Sequence, residues 1–161
     1  MKKLKWILPL LILTVMLGGC PYGSQIPLYT TGKKINATLL GDWEPKSSAD
    51  EKYKVTKDDD FTYKIVKTSK NSKEPSVYKA YLTDLDGETF LNLWEENGSS
   101  EKTYYFYKLE LNSSGSKATL SPVTENITEK FQTGEEMKAF FKKYKNLSFF
   151  YEKTQDVFIK D

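Results

Sequence analysis

The chain has 161 residues, of which 39% are hydrophobic and 14% aromatic, and a formal net charge of +2. It contains no histidine, no arginine and a single cysteine, which excludes a histidine base or metal ligand, Ser/His/Asp and Cys/His constellations, and a bidentate arginine clamp for phosphate or carboxylate. Lysines and carboxylates are interspersed rather than gathered into a basic patch, so nucleic acid is not an expected partner.

The chain opens with Lys2, Lys3 and Lys5, an apolar run from Trp6 to Leu17, and two glycines before Cys20. That is the order of parts in a cleaved export signal. The run is short of the roughly 20 apolar residues that a transmembrane helix needs, and Pro9 interrupts it. Leu17-Gly18-Gly19-Cys20 resembles the lipobox of bacterial lipoproteins. The resemblance implies removal of residues 1–19 and a lipid anchor, palmitate or a similar acyl chain, on Cys20. An ordinary secretory signal with Cys20 as a bystander is the alternative. A lone cysteine has no intramolecular disulfide partner, which agrees with lipid rather than redox chemistry. Two or three acyl chains hold a protein stably where one binds only marginally. The expectation is therefore a protein of the cell envelope attached to the membrane through Cys20 without spanning it. Pro21 rather than aspartate follows Cys20. By the same resemblance this implies outer-membrane attachment facing the periplasm, or the outer face of the cell membrane in a host with one membrane.

Pro21 to Lys34 is rich in Pro, Gly, Ser and Thr, so residues 20–37 are expected as a flexible lipid-anchored linker and residues 38–161 as one β domain. From there, short runs rich in Tyr, Phe, Val, Ile, Leu and Thr alternate with turn clusters. Strands are expected near Gly41 to Pro45, Lys52 to Thr56, Phe61 to Thr68, Ser76 to Thr83, Thr89 to Glu95, Thr103 to Asn112 and Lys117 to Ser121. The separators are short enough for an antiparallel meander. A period of two puts Tyr105, Tyr107, Leu109 and Leu111 on one inward face, and Phe61, Tyr63 and Ile65 on another. Across Thr89 to Trp94 neither face is clearly polar. A helical turn is expected at Ser121-Pro122. Thr133-Gly134-Glu135-Glu136 offers a capping box, after which Met137, Phe140, Phe141 and Tyr144 recur at helical spacing opposite Lys138, Lys142, Lys143 and Lys145. This helix should cover a sheet face or close a barrel end, with a basic membrane-surface role as the sharper alternative. Ser148 to Glu152 and Val157 to Lys160 are expected to add one or two closing strands.

Gly41-Asp42-Trp43 resembles the Gly-x-Trp first strand of lipocalins and of lipocalin-like domains in bacterial lipoproteins. The resemblance implies a mainly β fold: an antiparallel meander closing into a lipocalin-like barrel, with Trp43 plugging one end and one amphipathic C-terminal helix before a final strand. Many lipocalins pack an arginine over that tryptophan, and this chain has none.

Paired carboxylates are the remaining catalytic option, and Asp84 with Asp86, or Glu95 with Glu96, read as turn chemistry instead. Asp58-Asp59-Asp60 lacks the glycine and distal glutamate of a calcium loop and reads as a hairpin tip. Five glycosylation-type sequons, at Asn36, Asn97, Asn112, Asn126 and Asn146, read as chance matches. No catalytic residue, cofactor or metal is expected. Two kinds of binding remain. One is a non-catalytic structural or protein-interaction module of the envelope. The alternative is a barrel that holds an apolar or amphipathic small molecule against Trp43, Tyr63, Ile65, Tyr105 and Tyr107.

Overall fold

The computed structural model describes residues 21–161. Cys20 and the signal-like segment lie outside the described residues. The alternating runs form β1 (Gly23–Ser24), β2 (Gly41–Pro45), β3 (Glu51–Lys57), β4 (Thr62–Ser69), β5 (Ser76–Leu85), β6 (Glu88–Glu95), β7 (Tyr104–Leu111), β8 (Lys117–Pro122) and β9 (Asp156–Lys160). An α-helix, α1 (Gly134–Tyr144), lies between β8 and β9. Strands β2 to β8 meander, and β9 fills the gap between β8 and β2, so eight antiparallel strands close into a barrel. Closure pairs every stave on both sides and removes the open sheet edge. β1 is an extra two-residue strand on the end of β7, with Gly23 opposite Tyr105.

Turn chemistry fixes the register. Asp86 and Gly87 both take positive φ, 51° and 85°, the two-residue turn whose twist matches its flanking strands. At the β3–β4 tip the Asp59 carboxylate accepts the backbone N–H groups of Phe61 and Thr62, each at 2.8 Å, which gives the aspartate run a local use.

The two faces of the sheet form separate cores. Inward residues include Trp43, Tyr63, Ala80, Leu82, Leu91, Leu109 and Ala118. On the outer wall, Leu85, Phe90 and Phe106 pack under Met137 and Phe141 of α1 and under Phe150. Phe141 makes edge-on ring contacts with Phe90, Phe106 and Phe150, with centroids 5.0–5.7 Å apart. The helix thus covers a sheet face, and its packing on Phe90 together with that of Tyr81 and Tyr104 on Trp94 accounts for the largely apolar outer side of β6. Thr133 Oγ1 accepts the Glu136 N–H at 3.2 Å, and the Glu136 carboxylate reaches back to the Gln132 N–H at 2.8 Å, one residue ahead of the cap. Beyond its other end, the buried Lys145 is paired with Glu88 at 2.7 Å.

Three local expectations are corrected. Residues 21–34 are not a loose tether: Tyr22 and Leu28 are buried in the outer core, Tyr22 N–H donates to Val123 O, and Lys33 N–H donates to Leu82 O. These scattered apolar residues cover outer wall that α1 does not reach. Ser121-Pro122 ends a strand rather than starting a helix. Pro122 pairs with Tyr107 while the next residue, Val123, donates to Phe106 O at 2.9 Å, so the missing proline N–H costs the β7 ladder nothing. Ser148–Phe150 is a 3-10 turn, and only Tyr151 bridges to Val123, because the chain must turn back under the end of α1 there.

Candidate functional site

The barrel has a closed end and an open end. At the closed end the residues before β2 form a short 3-10 helix, Ala37–Leu39, whose Asn36 side chain caps the Thr38 N–H at 3.0 Å. Trp43 is 3% exposed and donates from Nε1 to Leu39 O at 2.9 Å, tying the floor to the wall. Tyr63, 1% exposed, accepts the Asn36 N–H on its hydroxyl at 2.7 Å. Lys160 lies over the Trp43 ring. Its Nζ lies 5.5 Å from the ring centroid and donates to Thr38 O at 2.8 Å. Gly41 makes room for it: at φ 129° a Cβ there would stand 2.9 Å from Lys160 Cε.

Above this floor the interior is hollow. A cavity of about 250 Å³ is walled by the inward residues of β2–β4 and β6–β9, with Tyr78 of β5 at its rim. Tyr53, Val55, Ile65, Leu93, Tyr107, Leu120 and Phe158 point into the barrel yet are only half-buried, because the space they face is empty. The volume lies just below the roughly 300 Å³ at which small-molecule sites begin, and an eight-stranded barrel is wide enough either to be filled or to hold one small ligand. A recess of about 860 Å³ on the outer wall, bounded by Asp58, Phe61, Trp94 and Lys102, lies between loops and is far more polar.

The mouth carries the charge. Lys67 is paired with Glu51 at 2.7 Å, and Tyr53 donates to the same carboxylate at 3.0 Å. The bond from Lys67 holds the Glu51 carboxyl below its ordinary range despite partial burial, while burial pushes the Tyr53 hydroxyl up to about 12. Tyr107 is raised by burial and then by the nearby charge of Asp156. Asp156, opposite Leu120 at the start of β9, is itself raised, first by burial and then by the Glu51 charge. Among the described residues its carboxylate has no cation and no hydrogen-bond donor.

The chain matches no family model, no curated protein and no solved structure. Of the five residues expected to contact a ligand, Trp43, Tyr63, Ile65 and Tyr107 line the cavity. Tyr105 does not: its stretch of β7 pairs with β1 instead of β8, and its ring lies against Gly23. Sequence reasoning missed Tyr53, Lys67 and Asp156. The alternation in Tyr53-Lys54-Val55 pointed to the first, whereas no pattern singles out one lysine or one aspartate at a strand end.

Proposed function

We propose that this is a lipid-anchored, non-catalytic lipoprotein of the cell envelope whose barrel binds a small apolar or amphipathic molecule. The observation that carries the binding reading is the ring of inward yet half-buried side chains around a cavity of about 250 Å³. A core meant only for stability would fill that space, as the floor around Trp43 and Tyr63 does. Pro21 bridges to Thr124, two residues beyond the mouth end of β8. A lipid on Cys20 would therefore hold the barrel by its open end, close to a source of amphipathic molecules.

Native mass spectrometry of the protein isolated from its own host tests this reading. A retained small molecule is expected, released when the barrel is unfolded. A clean apo mass would overturn it in favour of a structural or partner-binding module, a second reading that rests on Phe149, 66% exposed, beside the exposed Leu147. Cys20→Ser should release the protein from membranes with the barrel intact. Persistent membrane attachment would sink the lipid-anchor part alone.

A further inference from the structure

Three charged groups meet at the mouth, and their balance is uneven. Lys67 is already neutralised by Glu51 at 2.7 Å, which leaves Asp156 as the uncompensated charge on the cavity wall. An anionic head would face Asp156 and would have to break the Lys67–Glu51 pair to find a partner. A neutral head would leave a carboxylate partly desolvated with nothing to repay it.

The walls beside Asp156 are aromatic. Tyr53 and Phe158 meet edge-to-face at 5.1 Å and 84°, making a corner of rings, and Tyr107 lines the same cavity as Asp156. Lys67 Nζ lies 5.6 Å from the Tyr53 ring centroid, so a ring of this mouth already accepts a cation. Aromatic faces together with one unpaired carboxylate are the chemistry that receives organic cations, through ring quadrupoles and a counter-charge.

We infer that the cavity selects an amphipathic molecule with a positively charged head, of the alkylammonium class, with its tail toward Trp43 and its head between Asp156 and the rings of Tyr53, Tyr107 and Phe158. This rests on the ligand-binding reading and narrows it to one charge class. The apolar depth of the barrel takes the tail, and Asp156 at the start of β9 sits where the head would emerge. A cation docked beside the partly buried Asp156 carboxylate supplies the counter-charge that offsets its desolvation.

Isothermal titration of the full chain held in lipid nanodiscs, with empty nanodiscs as blank, tests the charge preference using three probes of equal tail length: hexyltrimethylammonium, hexanol and hexanoate. The cation should bind roughly ten-fold more tightly than the alcohol, a difference of about 1.4 kcal/mol, and hexanoate should bind least. Asp156→Asn, which removes both the counter-charge for the cation and the carboxylate that a neutral head strands, should weaken the cation, tighten the alcohol and bring the two to within about three-fold of each other, a preference worth under about 1 kcal/mol by the same conversion. Equal affinities for cation and alcohol, or a preference for hexanoate, would overturn the inference and leave the cavity reading standing. Binding of none of the three would overturn both. The wild-type series decides without relying on how the variant folds.

Discussion

Two cores share β6 and β7 back to back, and they are packed differently. On the outer face Phe90 and Phe106 are fully buried under Phe141, and Leu28, Val123 and Met137 are equally inaccessible. On the inner face Leu93 and Tyr107 border empty space. A barrel of this size would ordinarily draw its stability from its interior. Here the helix and the segment over residues 21–34 supply a dense core on the outside. The interior is thereby free to be hollow above the floor.

The largest expected effect separates the two cores directly. Phe141→Ala should destabilise the fold by roughly 3–5 kcal/mol in urea unfolding, since it empties the centre of a ring cluster that cannot collapse. Ile65→Ala, on the hollow side, should cost only about 1–2 kcal/mol, because much of that side chain faces a cavity and has few contacts to lose. Equal losses would show that the inner wall is packed as tightly as the outer one.

Next in size is the charge network that pins the end of α1 to the barrel. Glu88 accepts from the buried Lys145 at 2.7 Å and from Lys108 at 2.8 Å. Glu88→Gln keeps the shape but leaves Lys145 without its counter-charge, for an expected loss of about 2 kcal/mol. Burial raises the Glu88 carboxyl, yet the bonds from Lys108 and Lys145 outweigh it and the net shift is downward. A lowered folded-state value means that this stabilisation is present above the unfolded pKa near 4.3 and is lost as pH falls through the folded value. Wild type and Glu88→Gln should therefore converge in stability in acid, as thermal unfolding at a series of pH values would register.

The floor gives a smaller effect. Lys160→Ala removes the cation over Trp43 and the bond to Thr38 O, for about 1 kcal/mol. Gly41→Ala should cost more than that in the wild type and less in a Lys160→Ala background, where the clash with Lys160 Cε is gone and only the positive φ remains strained. A full loss in both backgrounds would show that backbone conformation, and not room for the lysine, requires glycine there.

Much of this architecture was legible in the residues. Strands β2 to β8 followed from runs rich in aromatic and β-branched residues set between turn clusters, while α1 followed from Thr133, Glu136 and the helical spacing of Met137, Phe140, Phe141 and Tyr144. Those signals are local, so they survive without knowledge of the partners. The packing of residues 21–34 was hidden because Tyr22 and Leu28 stand singly among Pro, Gly and Thr and show no period; only the outer wall gives them a place. Whether the barrel is hollow was equally hidden, since Tyr, Ile and Leu line filled and empty interiors alike. Tyr105 was misplaced because alternation gives a side of the strand but not where the stave ends.

The smallest expected effect has the opposite sign from the others. Asp156 has a raised folded-state pKa, caused first by burial and then by Glu51, and no compensating cation. In the ligand-free protein its ionised form is therefore less favourable folded than unfolded. Above the folded value the charge destabilises; below the unfolded value, near 3.9, both states are protonated and the penalty vanishes. Asp156→Asn should accordingly raise the melting temperature slightly at pH 7, with the gain disappearing as pH falls, the reverse of the loss expected for Glu88→Gln. A lower melting temperature at pH 7 would mean that the carboxylate has a stabilising partner in the free protein, and the contrast between a self-sufficient outer core and an incomplete inner one would fail at its most exposed point. A gain at neutral pH would instead mark Asp156 as a group kept at the expense of stability, as expected of a residue whose partner arrives with the ligand.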